Sequence, residues 1–192
     1  MEFAIKALGA VALMTGTASA QNLNLDVFAG QTLPAKLVFV GVHASTNPGQ
    51  SYGIGISRSD VFTPNLELGF ELSQTRMEYA GFEPISISGL AAMATARYNF
   101  VNTGAFEAYA GLGLGAVNVT FTSVPPYTPY TNSAVLPGGQ VMLGARYAVS
   151  DQMKMFAEAR YLDTFQDAAD IAFGTPATFN ASSIVLGIRT SF

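Results

Sequence analysis

Polar and apolar residues alternate at period two along most of the chain beyond residue 20. The clearest case is NLELGFELSQ, where Leu66, Leu68, Phe70 and Leu72 oppose Glu67, Gly69, Glu71 and Ser73. Successive strand side chains point to opposite sides, so each such stretch predicts a strand with one apolar face. The closing residues SSIVLGIRTSF behave likewise. Phe192, Thr190, Ile188, Leu186 and Ile184 share one face, and Ser191, Arg189, Gly187, Val185 and Ser183 share the other. A terminal segment that keeps its pattern to the last residue is expected to be paired inside a sheet, not frayed.

Eight segments of this kind can be read, broken by clusters of Gly, Pro, Asn, Asp and Thr that mark turns. Besides the two just given they run near 22–30, 51–58, 87–100, 106–119, 140–149 and 153–163. In the first, Leu23, Leu25, Val27 and Ala29 oppose Asn24, Asp26 and Phe28. In the fourth, Leu90, Ala92, Ala94, Ala96 and Tyr98 oppose Met93, Thr95, Arg97 and Asn99, and in the fifth Leu112 and Leu114 oppose Glu107 and three glycines. The sixth sets Val141, Leu143, Ala145 and Tyr147 against Met142, Gly144 and Arg146; the seventh sets Met155, Ala157, Ala159 and Tyr161 against Lys154, Phe156, Glu158 and Arg160.

The links alternate in length. Short ones, around SDVFTP, VNTG and SDQ, follow segments two, four and six; longer ones lie near 31–50, 76–86, 120–138 and 164–178. Short turns on one side and long loops on the other are the habit of an outer-membrane barrel. Eight strands then put both ends of the domain on the short-turn side, with about 21 residues for each strand and link, enough for the ~9–11 that cross. Within loop 31–50 the stretch KLVFVGV could either extend strand one or pack over the barrel mouth.

Composition sharpens this picture. Hydrophobic residues make up 49% and charged ones only 11%, with a mean hydropathy of +0.31. Yet after residue 20 no apolar run is long enough for a membrane-spanning helix. Backbone groups in lipid must be satisfied internally, which leaves the closed barrel as the spanning solution. The first twenty residues, with Lys6, an apolar stretch from Ala7 to Met14 and Ala18-Ser19-Ala20, read as a secretory signal peptide cleaved after Ala20. The domain organisation expected is therefore a signal peptide at 1–20 and a barrel domain at 21–192. Cysteine is absent, so neither disulfides nor thiolate metal sites are expected. No basic excess marks a nucleic-acid binder.

Alternation alone does not distinguish an apolar face turned to lipid from one turned to the core of a soluble, lipocalin-like barrel. Charge does. The polar faces hold Asp26, Glu67, Glu71, Glu107 and Glu158 against Arg97, Arg146, Lys154, Arg160 and Arg189. A water-facing surface would carry more charge and fewer glycines. An eight-stranded interior is just wide enough to be filled by side chains, so these groups are expected to form a neutralising network inside the lumen. Aromatic residues fall in two belts, Tyr98, Phe100, Phe106, Tyr147 and Phe192 toward the short turns, Tyr52 and Tyr161 toward the long loops.

On these residues the chain resembles the small OmpA/OmpX-type outer-membrane barrels of Gram-negative bacteria, within the wider porin-like and opacity-protein β-barrel family, over the whole length from residue 21. The resemblance implies an eight-stranded antiparallel up-and-down transmembrane β-barrel in the outer membrane. It also implies that Phe192, closing IVLGIRTSF, is the signal read by the barrel assembly machinery during biogenesis. The resemblance does not extend to the peptidoglycan-binding domain that larger relatives append, so no wall-anchoring role is carried over.

Candidate chemistry is sparse. The single histidine, His43, precedes Ser45 in VHAS, and some outer-membrane lipid A deacylases pair His-x-Ser with a carboxylate; the surrounding residues do not resemble that motif, and a loop histidine is the default. GLGLG at 111–115 has the wrong spacing for a dinucleotide fingerprint, and its glycines are expected to relieve crowding on the lumenal face. Neither a cofactor nor a metal is expected. The expectation is a non-enzymatic barrel with an envelope or surface-interaction role, its extracellular loops free to meet a partner and its lumen closed by charge. The competing reading takes the same charges as the selectivity ring of a small pore.

Overall fold

The alternating segments are realised as strands, in chain order β1 (Leu23–Thr32), β2 (Lys36–Phe39), β3 (Val42–Ser45), β4 (Gly49–Arg58), β5 (Leu66–Glu78), β6 (Ser86–Asn102), β7 (Phe106–Ser123), β8 (Tyr130–Ala148), β9 (Met153–Thr164), β10 (Ala168–Ala172), β11 (Thr175–Ala177) and β12 (Asn180–Ser191). The computed structural model describes residues 22–39, 42–81, 85–172, 175–177 and 179–192, with the backbone alone at 36–39, 42–44, 168–172 and 175–177. The expected signal peptide, residues 1–20, lies outside the described residues.

Eight strands close into an antiparallel barrel in the order β1, β12, β9, β8, β7, β6, β5, β4. Closure joins the first and last strands in register from Asn24 opposite Ser191 to Thr32 opposite Ser183, while β1 pairs β4 along its other side. The wall has no free edge, which is what allows a sheet to cross lipid. Three short turns sit at one end. In the β4–β5 turn Asp60, Phe62 and Asn65 adopt positive φ, and the Asp60 carboxylate accepts the Asn65 backbone N–H at 2.9 Å. In the β6–β7 turn Asn102 accepts from Gly104 N–H at 3.1 Å, and Gly104 takes the left-handed conformation that glycine alone adopts freely. Ser150 accepts from Met153 N–H in the third.

The far end departs from the sequence reading. Residues 120–138 were expected to be a long loop, but β7 and β8 run on as a paired hairpin to Ser123 opposite Tyr130. The stretch KLVFVGV does not extend β1. It supplies β2 and the start of β3, which join β10 and β11 in a separate four-stranded sheet of order β10, β11, β2, β3, with β10 lying against β7 and β8. Pro137 is accommodated in the wall because its carbonyl, accepting from Phe165 N–H, faces the β9 side just beyond the last β8–β9 pair, Gly138 with Thr164. Its missing N–H would have pointed to the same side, where the ladder ends.

The hairpin persists because the alternation continues with its polarity exchanged. In the lower barrel, outward side chains are apolar and inward ones polar. On β6 the outward series from Phe100 to Leu90 spans about ten residues, or about 25 Å of height after a strand tilt of ~40°, the height of a lipid-facing band. From about the level of Met93 upward the inward side chains become apolar: Met93 and Ile87 on β6, Met77 on β5, Val117 and Phe121 on β7, Leu136 on β8. Higher up the outward ones become Ser, Thr and Asn. Phe179, fully buried, fills this core from the β11–β12 link. A side chain on Gly89 would start 2.6 Å from its ring, so the glycine forms the notch that receives it. Burial in this layer pushes the Tyr79 phenol up to about 12.

Candidate functional site

Inward parity on the eight barrel strands directs five carboxylates and five cationic groups into the lower lumen. Glu67 lies at the centre. Arg189 grips it through both guanidinium nitrogens, Nη2 to Oε1 at 2.7 Å and Nη1 to Oε2 at 2.5 Å. Arg97 donates to it at 3.1 Å, and Arg146 Nη1 stands 3.2 Å away. Arg189 is also forked onto Asp26 at 2.7 and 2.6 Å. Some of these pairs are cross-strand neighbours, Asp26 opposite Arg189 and Glu67 opposite Arg97. Others bridge the lumen.

The widest bridge joins β9 to β5, strands on opposite sides of the ring. Arg160 donates from Nη1 and Nη2 to the two carboxylate oxygens of Glu71 at 2.9 and 3.2 Å, and its Nε donates to Glu158 at 2.6 Å. Arg97 ties Glu71 to the same cluster at 3.0 Å, while its Nε lies 3.7 Å from Glu158. Glu67, Glu71 and Glu158 are only 1–2% exposed. Buried ions need near-complete pairing to offset their lost hydration, and each of these carboxylates meets at least two cationic side chains. Glu107 and Lys154 form a contact at the short-turn edge, where Lys154 keeps 25% of its side chain exposed.

Further lumenal groups belong to the network and were not among the sequence candidates, three of them most closely. Tyr109 donates to Glu158 at 2.8 Å, Gln140 donates to Glu71 at 3.2 Å, and Asn99 accepts from Arg146 at 3.3 Å. All three fall on the inward parity of their strands, which is the signal that could have found them. Aromatic rings fill the space between the ions: the Arg146 guanidinium lies 3.9 Å from the Tyr109 ring centre and that of Arg160 4.0 Å from Phe28. Glycines opposite make room. A Cβ on Gly144 would sit 2.5 Å from Tyr109 and one on Gly187 2.3 Å from Phe156.

Below the network the lumen opens into a polar vestibule of about 400 Å³ at the short-turn end, lined among others by Asn22, Asn24, Asn65, Asn102 and Gln152. Above it stands the apolar layer. Phe192 projects outward at the seam, where its N–H donates to Leu23 carbonyl at 2.9 Å and its carbonyl accepts from Asn22. The side chain of His43 lies outside the described residues, so its relation to Ser45 is not placed. Among the described residues no group of His, Cys, Asp or Glu is arranged to hold a metal.

A closed antiparallel ring with an apolar outer band, a polar lumen and short turns at one end is an outer-membrane β-barrel. The chain belongs to the outer membrane protein beta-barrel domain family, whose model matches residues 3–192. Solved structures with the same fold include Neisserial surface protein A, 17% identical over 88% of this chain and 97% of that one, with a TM-score of 0.63. OprG of Pseudomonas aeruginosa is 14% identical over 90% and 96%, TM-score 0.53. Ail, the attachment invasion locus protein of Yersinia pestis, solved with the heparin analogue sucrose octasulfate, is 13% identical over 90% and 99%, TM-score 0.52. No curated protein sequence matches significantly. The protein is embedded in the outer membrane.

Proposed function

We propose that this is a sealed barrel with a structural, envelope-supporting and surface-presenting role, neither an enzyme nor a channel. The observation that carries the reading is the Arg160–Glu71 bridge across the barrel diameter, buried and held at both ends by further ions. An ion passing this level would have to break several buried pairs at once, each costing roughly 3–5 kcal/mol to open. The apolar layer above forms a second barrier in series. On this reading Asp26, Glu67, Glu71, Arg97, Glu107, Arg146, Lys154, Glu158, Arg160 and Arg189 are structural. The exposed tip of the β7–β8 hairpin, with Val124 and Tyr127 on its surface, supports a presenting role toward a partner outside the cell.

The test is single-channel conductance of the refolded protein in planar bilayers, with heat-modifiable gel migration as the control for folding. A folded, silent protein is expected. Steady current that changes with Arg160→Ala would replace the sealed barrel with a pore gated by these charges. Phe192, at the barrel seam, is assigned to recognition by the assembly machinery.

A further inference from the structure

The vestibule at the short-turn, periplasmic end has one wall built of hydrogen-bond donors. A bulge in β6 helps to make it. Asn99 faces Tyr109, Val101 faces Ala108 and Asn102 faces Glu107, so Phe100 is the extra residue. Such a bulge re-aims the side chains beyond it. Without it Asn102 would point toward lipid; with it Asn99 and Asn102 both line the vestibule. Each has its side-chain oxygen held by an obligate donor, Asn99 by the Arg146 guanidinium at 3.3 Å and Asn102 by Gly104 N–H at 3.1 Å. The amide nitrogen of each is left to donate elsewhere.

Arg146 stands on the same wall, buried to 2% exposure. Its terminal nitrogens are engaged by Glu67, Glu107 and Asn99, and its guanidinium lies over the Tyr109 ring. Its buried Nε has no hydrogen-bond partner among the described residues. A buried N–H without an acceptor is costly, and this one points to an acceptor that the chain does not itself supply. Lys154 contacts Glu107, keeps 25% of its side chain exposed, and has N–H groups to spare. Two cations and two amides thus face a single carboxylate, Glu107, on a wall running from β6 to β9. The exposed carboxylates of Asp60 and Asp151 stand instead on turns at the mouth.

Spacing and charge select the ligand. Asn99 and Asn102 stand opposite residues two apart on β7, about 7 Å along the strand. One carboxylate does not span that distance, but an extended peptide repeats its carbonyls on one side at this interval. The wall carries one surplus positive charge, and Asp60 and Asp151 repel a ligand with more than one negative charge. The cavity of about 400 Å³ lies within the ~300–1,000 Å³ of small-ligand sites.

We propose that the vestibule binds a short peptide by its free carboxyl end, entering from the periplasm. The carboxylate accepts from Arg146 Nε and the Asn99 amide as charge-assisted hydrogen bonds. The carbonyl two residues back accepts from Asn102, and in a tripeptide the ammonium then lies toward Asp60 and Asp151.

The experiment titrates the refolded full barrel, in phospholipid nanodiscs, with trialanine and follows the Arg146 Nε–H and the Asn side-chain amides by nuclear magnetic resonance. Saturable shifts of Arg146 Nε–H, Asn99 and Asn102 are expected. Trialanine amide, which lacks the carboxylate, should bind roughly tenfold more weakly, the scale of one charged hydrogen bond. Asn99→Asp and Asn102→Asp keep the oxygen that accepts from Arg146 or Gly104 and replace the free donor by an acceptor. Each should weaken binding roughly tenfold with heat-modifiable migration intact. Thr63→Asp, which adds the same charge on an exposed turn outside the vestibule, should leave it unchanged. An Arg146 signal that trialanine does not move would assign the vestibule to water alone and overturn the site. Equal binding of trialanine amide or of inorganic phosphate, or Asp variants indistinguishable from the parent, would overturn recognition of a peptide carboxylate.

Discussion

Glu67→Gln is the substitution that most directly interrogates the lumen. The carboxylate contacts three guanidinium groups, of Arg189, Arg97 and Arg146, at 2.5–3.2 Å, with 1% of its surface exposed. At an effective dielectric near 20, each such contact is worth about 5 kcal/mol of attraction. Desolvation of the ions, several kcal/mol apiece, removes much of this. The amide keeps the shape but loses the charge, leaving four carboxylates against five cations, of which only Lys154 keeps contact with water. The expected loss is about 3–5 kcal/mol, or two to three and a half powers of ten in the folding equilibrium. Glu107→Gln is the comparison, because its partner Lys154 retains water contact; about 1 kcal/mol is expected there. Urea unfolding of each variant in phospholipid vesicles, followed by gel migration, measures both. If Glu67→Gln cost no more than Glu107→Gln, or Glu67→Leu proved as stable as the parent, the network would not be what holds the lumen closed. A Glu67→Gln/Arg189→Gln double variant restores charge balance and should lose less than the sum of its single losses.

Other consequences can be checked separately. Phe179→Ala removes a ring that fills the notch at Gly89, a loss of about 3–5 kcal/mol for a buried Phe; it should open the mouth to limited trypsin cleavage at Lys36 while urea unfolding of the barrel changes little. Gly144→Ala drives a methyl into Tyr109 and should cost about 1–3 kcal/mol as overpacking, read from the same unfolding curves. Phe192→Ala should leave the stability of protein refolded in vitro nearly intact, since the side chain is outward and exposed, yet lower the folded amount reaching the outer membrane in cells. A proportionate fall in both would make Phe192 a packing residue.

The barrel was legible because lipid outside and water or ions inside impose one polarity on every strand, so parity along NLELGFELSQ or IVLGIRTSF identifies both faces. Pairing within the lumen was not. Parity says that Arg160 and Glu71 point inward, but only the register of all eight strands places them across the diameter from one another. The extracellular half misled for a definite reason. In TFTSVPPYTPYTNSAVLPG the outward residues of the hairpin are mainly Thr and Ser, and with four prolines they carry the composition of a loop. The signal overlooked was the inward series Val117, Val119, Phe121 and Leu136, an apolar alternation in the opposite phase. For KLVFVGV the sequence left open whether it extends strand one or packs over the mouth, because its distant partner strand, β11, lies more than 120 residues away, and no local pattern announces it.

The exchange of polarity along single strands follows from the change of solvent. Within the band lipid surrounds the wall, so burying apolar groups in the lumen gains nothing over leaving them outside, and the interior can be specified by ion pairs of fixed geometry. Above the band water surrounds the wall, the hydrophobic effect returns at about 25 cal/mol per Å² of apolar surface buried, and an oily core becomes the stable solution. The two layers are therefore held by different forces and should fail independently. High salt should leave both nearly unchanged, since neither the buried ions nor the apolar groups are accessible to it, whereas cooling should loosen the apolar layer first. Protease access at Lys36 that rises on cooling, with gel migration of the barrel unchanged, is the expected sign; a barrel and mouth that loosen together would mean that the wall transmits one cooperative unit through both layers.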